Sequence, residues 1–200
     1  MAEKKEFAHI RPSCCTSRGI EVDLLDPKPE SINLADIAEG LSKACRYSGQ
    51  VPNKFYSVAE HSVLCSYYVP DDYALMALMH DAAEAYTGDF SSPLKALIRE
   101  STSVLDVVED RLTRAIFKKF SIEPHDHEDC IAPIVHEADG FVFVQERNQM
   151  MPEAPWWSNY GGGDPNYMEI SCHDWRFARH QFTKRFNELW YGTQNRESTG

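Results

Sequence analysis

The chain has no apolar run approaching the roughly 20 residues that a bilayer-spanning helix needs. No apolar stretch follows the lysines of its opening segment, MAEKKEFAHIRPSCC. Neither a membrane span nor a secretory leader is expected, and the expected location is the cytoplasm. Cys-x-x-Cys pairs are missing as well. The six cysteines stand at positions 14, 15, 45, 65, 130 and 172, which excludes zinc-ribbon spacing. Reduced thiols suit a cytosolic protein. Cys45 and Cys65, on helix-like segments, read as small apolar fillers, and the Cys14-Cys15 pair as exposed rather than redox-active. Positive charge is short: 20 lysines and arginines face 31 aspartates and glutamates, for a net charge of −11. Long-range electrostatics then exclude nucleic-acid polymers and anionic membranes as expected partners, while a locally positive pocket can still hold a small anion. There is no internal repeat. The three glycines at 161–163 lack a preceding strand and a following Lys-Ser/Thr, so they are no phosphate loop.

What is present reads as one all-α domain. The 200 residues are 42% hydrophobic and 26% charged, enough for a real core. The domain is placed at 1–195, with residues 196–200 as a disordered tail. Residues 19–26 alternate as a short strand or hairpin. Helical spacing and start and stop signals then predict helices over 34–45 behind Asn33, from the capping box Ser57-Val58-Ala59-Glu60 to about Val69, over 73–86, from Pro93 behind Ser92, over 104–120, over 133–148, and over 174–191. Residues 151–170, with three prolines and three consecutive glycines, read as a loop in which the WWSNY segment has no assigned role. The expectation is a bundle of six or seven helices with a small N-terminal β element.

One stretch breaks the apolar pattern. In LMHDAAEAYTGDFSSPLK, His80 and Asp81 sit where a core is expected. Glu84 is four residues from His80 and three from Asp81, on the same helix face. His61 lies in the first turn of the preceding helix, and a short turn at Pro70-Asp71-Asp72 makes the two helices antiparallel neighbours. Asp139 flanks an apolar stripe of Ile134, Val135, Ala138, Phe141 and Val142. It is expected to face protein, where an unpaired carboxylate is expensive. His61, His80, Asp81 and Asp139 make a mixed nitrogen and oxygen set suited to Mn, Co, Mg, Fe or Zn with positions left for water and substrate. The bland alternative, a buried hydrogen-bonded His-Asp pair, does not account for four such residues with Glu84 beside them.

The order His61, His80-Asp81, Asp139 resembles the HD-domain metal-dependent phosphohydrolases. The segments RYSGQ, YSVAEHS and HDAAEAYTGDFSSPLK are similar to small bacterial 5′-deoxynucleotidases and to phage deoxynucleotide triphosphohydrolases. The resemblance covers about residues 20–150. It implies an HD helical bundle, hydrolysis of a nucleotide phosphate, and a homo-oligomer. Glu84 and Asp89 are the candidates for orienting water or moving a proton; Asp89 also reads as a turn residue after Gly88. Lys95, near the helix start at Pro93, and Arg46 are the phosphate contacts, Arg46 by the resemblance, with a charge answering a helix dipole as its structural alternative. Tyr47 or Tyr86 stacks on a base or belongs to the core. His136 is a candidate outer partner, His173-Asp174 reads as a helix cap, and HDHED at 125–129 as a solvated connector. The phage-like N-terminal part leans the reading to a dNTP, dATP-like triphosphohydrolase. Release of phosphate from a dNMP is the alternative, and a non-enzymatic interaction protein with a relic metal site the second. The aromatic C-terminal helix is either an oligomer interface or a cover for the core.

Overall fold

Asn33 and Ser57 open two helices as their surroundings demand. In the computed structural model, which describes residues 12–155 and 168–197, Asn33 accepts from the Ala35 N–H ahead of α1 (Leu34–Lys43), and Ser57 accepts from the Glu60 N–H ahead of α2 (Val58–Cys65). The capping box is only half made. The Glu60 carboxylate reaches across the molecule instead, accepting from the backbone N–H groups of Cys172 at 2.9 Å and His173 at 2.7 Å. It thereby ties the segment before the last helix to α2.

The described residues are mostly helical. After α2 come α3 (Asp71–Met79), a single turn α4 (Glu84–Thr87), α5 (Ser92–Ser101), α6 (Val104–Lys119), α7 (Pro133–Met150) and α8 (Trp175–Glu197). The β element is a two-stranded antiparallel hairpin, β1 (Ser13–Cys15) and β2 (Glu21–Asp23), with Cys14 opposite Val22. Only β2 falls in the segment expected to be extended; Gly19, at φ +75°, makes the turn between them. Other boundaries shift too. Proline 93 occupies the second helical position, not the first, because the helix starts at Ser92. The last helix runs to Glu197, so residues 196 and 197 belong to it rather than to a tail; Gly192 weakens a helix without ending it. The WWSNY segment and the glycines at 161–163 lie outside the described residues.

The largest departure falls on the site. A continuous helix over 73–86 is expected, yet the chain tightens between α3 and α4. The N–H groups of Ala82, Glu84, Ala85 and Tyr86 each bond the carbonyl three residues back, at 3.1, 2.9, 3.3 and 2.9 Å. The His80 ring donates to the Ala77 carbonyl, the one a continuing α-helix would offer to Asp81.

Helix α2 is the centre of the bundle, packed by α1, α3, α7 and α8. Val58, Ala59, Glu60, His61, Ser62 and Cys65 are all buried and Val63 and Leu64 partly so, and most of the helix is enclosed. Around it the core draws Ile37 and Leu41 from α1, Leu78 and Met79 from α3, Leu112 and Ile116 from α6, Val142 from α7 and Phe182 from α8. Each contributes roughly 1.5–3 kcal/mol by leaving water. Phe182, Phe186 and Trp190 pack on this core, so this side of α8 is a cover. No described helix is long and apolar enough to cross a membrane.

Candidate metal centre

The four predicted ligands meet where α2, the α3–α4 joint and α7 come together. His61 Nε2 lies 3.1 Å from Asp139 Oδ1 and 3.7 Å from Asp81 Oδ2; His80 Nε2 lies 3.2 Å from the same Asp81 oxygen. The two imidazole rings are 5.4 Å apart at their centroids. Asp139 is more open than its apolar stripe suggests, with its side chain 41% exposed, and marks the solvent end of the site.

The tautomers follow from the partners. His80 Nδ1 is 2.8 Å from the Ala77 carbonyl, which only accepts, so Nδ1 carries the proton. His61 Nδ1 is 2.6 Å from Glu146 Oε1, and the bonds around that carboxylate keep it ionised, so Nδ1 donates there also. Both Nε2 lone pairs therefore turn inward, toward carboxylate oxygens that are lone pairs themselves. Such an arrangement requires a proton or a cation between them. His80 Nε2 makes no hydrogen bond despite its burial, because the nearby Asp81 oxygen lies outside hydrogen-bond geometry. The donor set and this orphaned nitrogen fit a divalent ion, with His61, His80, Asp81 and Asp139 as the residues to hold it.

Without a metal, protons fill the gap. Burial disfavours the imidazolium form of His80, but Asp81 and Asp139 overcome it and push its pKa up to about 10. At His61, burial and Arg46 oppose protonation, and Cys65, Glu146 and Asp139 outweigh them, giving a strong upward shift. Burial would raise Asp139, but the two imidazoles pull it down to about 2; His80, His61 and Arg46 likewise overcome burial and depress Asp81 strongly. Protons and a cation thus compete for the same lone pairs.

Glu146 was not foreseen. It is fully buried. Its Oε1 accepts from His61 at 2.6 Å and from the Tyr56 hydroxyl at 2.8 Å; its Oε2 accepts from Arg46 Nε at 3.0 Å and the Tyr47 hydroxyl at 3.2 Å. It lies seven residues after Asp139, two helical turns along the same face of α7, and that spacing is the one signal that points to it.

The remaining candidates occupy two cavities flanking the centre. One, about 290 Å³, is lined by Arg46, Tyr47, Asp89, Phe90, Pro93 and Phe143. Tyr47 stacks on Phe143 with ring centroids 6.1 Å apart. Tyr47 and Ser48 both take left-handed backbone, at φ 54° and 52°, followed by Gly49 at 72°; the strain of roughly 1–2 kcal/mol per non-glycine residue is held by the Arg46 and Tyr47 contacts to α7. Arg46 is thus bound to Glu146 while it lines the cavity, and Nη1 reaches to 3.9 Å from Asp81. The other cavity, about 440 Å³, includes His80, Asp81, Glu84, Lys95, Glu109 and Asp129. Lys95 is not a free cation: it bonds Glu84 at 3.0 Å and Glu109 at 3.1 Å. Burial, then Asp81 and Asp89, push the Glu84 carboxyl up to about 8, with Lys95 opposing. Burial raises Asp89 as well, against the pull of Arg46.

Of three expectations about side residues, the cap at Asp174 holds, the role of His136 does not, and Cys65 is buried in the core but has a polar neighbour. His136 turns to Asp129 at the surface, 2.9 Å away, rather than to the centre. Asp174 caps α8 by accepting from Arg176. Cys65, expected to be an apolar filler, puts its sulfur 3.4 Å from His61 Nε2, and His61, Cys65, His80 and Asp139 each offer a ligand atom within 4.8 Å of the others.

Over 162 residues the chain is 36% identical to the uncharacterized protein YfdR of Escherichia coli (strain K12), a match covering 80% of this chain and 85% of that protein. The chain belongs to the YfdR family. A second relative, the uncharacterized protein RCAP_rcc00048 of Rhodobacter capsulatus, is 40% identical over 112 residues, 52% of this chain and 56% of that protein. No family model matches the chain.

Proposed function

We propose that the protein is a divalent-metal-dependent phosphohydrolase of the HD type, acting on deoxynucleotides. One observation carries this reading: two buried imidazoles, each with Nδ1 committed to an acceptor, aim their Nε2 atoms at the carboxylates of Asp81 and Asp139. A bound cation supplies Lewis acidity, polarising a phosphoryl oxygen and easing deprotonation of water. The chain supplies the rest. Glu84, with its pKa raised to about 8 in the metal-free protein, can accept and return a proton near neutral pH. Asp89 lines the cavity on the Arg46 side, where it can orient water. The aromatic and serine-lined space of that cavity suits a nucleoside.

The reaction placed first is release of triphosphate from a dNTP, on the phage-like N-terminal resemblance. The second, release of phosphate from a dNMP, has an observation in its favour. Arg46, Lys95 and Arg99, the last also lining the larger cavity, are each already engaged by carboxylates, which leaves little positive charge for a triphosphate. The test is a panel of deoxynucleotides incubated with Mn, Co, Mg, Fe or Zn in turn, with products separated. Tripolyphosphate plus deoxynucleoside supports the first reaction, orthophosphate from a dNMP the second, and no product from any pair rejects the proposal. Asp81→Ala is expected to lower turnover by more than roughly 100-fold, beyond the loss typical for an outer hydrogen-bond partner of a ligand. Unchanged turnover would move the chemistry elsewhere.

A further inference from the structure

From the position of its sulfur we infer that Cys65 is itself a ligand, making the centre a nitrogen, oxygen and sulfur site that prefers zinc- or cobalt-like ions to magnesium. This inference rests on the reading of the centre as a metal site and goes beyond its four predicted ligands. Cys65 is four residues after His61, on the same face of the enclosed helix α2, and is fully buried. An apolar filler would point its sulfur at hydrocarbon. This one lies 3.4 Å from His61 Nε2 and 4.0 Å from Nδ1. Nitrogen and sulfur bound to one tetrahedral ion at about 2.0 and 2.3 Å stand about 3.5 Å apart, so the observed spacing already suits a shared cation.

A second observation points to the same place. The His80 side chain is only 7% exposed, yet its Nε2 makes no hydrogen bond. With Nδ1 donating to Ala77, that nitrogen is the atom left to meet a cation, and it belongs with Cys65, His61 and Asp139 to the one group of donors within 4.8 Å of each other among the described residues. Asp81 remains within reach of both imidazoles, 3.2 and 3.7 Å away, and completes the set on the carboxylate side. Binding breaks the Cys65 S–H bond: the sulfur keeps the electron pair and gives it to the cation, and the proton leaves to buffer. A thiolate favours borderline-soft ions, while magnesium prefers oxygen ligands alone.

The experiment is anaerobic titration of the metal-free 200-residue chain with cobalt(II), followed by absorption. Cobalt bound through sulfur shows a near-ultraviolet thiolate-to-metal charge-transfer band, alongside visible ligand-field bands that report binding by any donor. The expected result is both sets of bands saturating together at one equivalent. Cys65→Ser is expected to keep the visible bands, lose the near-ultraviolet band and weaken zinc about tenfold or more. A protein with Cys14 and Cys15 both changed to serine keeps everything. Visible bands without the charge-transfer band in the unmodified protein overturn the assignment of Cys65 and leave the metal centre standing. A charge-transfer band that survives Cys65→Ser, or is lost with Cys14 and Cys15, overturns it too. No cobalt bands at all overturn the assignment and the metal reading together. If the Cys65 variant fails to fold, absence of the band in the unmodified chain still overturns the assignment, and a band that survives serine at each of the other five cysteines supports it.

Discussion

Glu146→Gln is the substitution that tests the architecture behind the centre. The change is nearly isosteric and removes one negative charge from a fully buried position. Two consequences follow. Arg46 loses the partner it meets at 2.9 and 3.0 Å, and its next carboxylate, Asp81, is 3.9 Å away. A charge pair at about 4 Å is worth about 4 kcal/mol at an effective dielectric constant of 20, and breaking one side of a buried pair costs about 3–5 kcal/mol because the other charge stays behind. The His61 Nδ1–H loses a charged acceptor at 2.6 Å, which loosens the ring that aims Nε2 at the site; outer partners of this kind typically change metal affinity about 10–100-fold. Urea unfolding of the metal-free protein should therefore show a loss of about 3–5 kcal/mol with an unchanged slope. Competition against a chromophoric chelator should show zinc or cobalt affinity reduced 10-fold or more. If Glu146→Gln unfolds within about 1 kcal/mol of the parent and binds metal equally well, the buried carboxylate is not the support described above. Adding Arg46→Met should recover part of the lost stability, since the stranded charge is then gone.

Two further outcomes check other parts of the fold. A Cβ on Gly40 would sit 2.8–2.9 Å from the backbone oxygen and Cα of Ala85, atoms that cannot swing aside. Gly40→Ala should cost about 1–3 kcal/mol in urea unfolding and, by displacing the turn that carries Glu84, reduce turnover; a loss below about 0.5 kcal/mol would mean α1 and α4 are not in this contact. The metal-free protein should also lose stability as pH rises. His80 is raised to about 10 and His61 is raised well above its ordinary value, against about 6.5 unfolded, so their contribution is complete below about pH 6.5 and disappears as pH climbs through about 10. Chelated protein unfolded at a series of pH values should show this decline, and saturating divalent ion should remove it; a flat profile in chelator would show that protons do not occupy the centre.

Much of the local structure was legible in the chain because it depends on neighbours in sequence. Asn33 and Ser57 cap helices, Asp174 caps another, and spacing against apolar stripes places His61 and His80 inward, with Asp139 on the same side but more open. Other features were hidden because they depend on what arrives from elsewhere. The Glu60 carboxylate, expected to turn back on its own helix, bonds residues 112 and 113 positions away. Lys95, attractive as a free cation at a helix start, is taken up by Glu84 and Glu109. Glu146 lies 85 residues from the imidazole it orients, and Cys65 differs from any buried cysteine only in having that imidazole beside it. By itself the sequence determined the four candidate ligands and the helical faces they occupy, since period and capping are local physics. Only the tertiary structure decided which tautomer each histidine takes, which carboxylates neutralise which cations, and that a sulfur lies beside the donors, because those properties belong to contacts made when α2, α3 and α7 pack together.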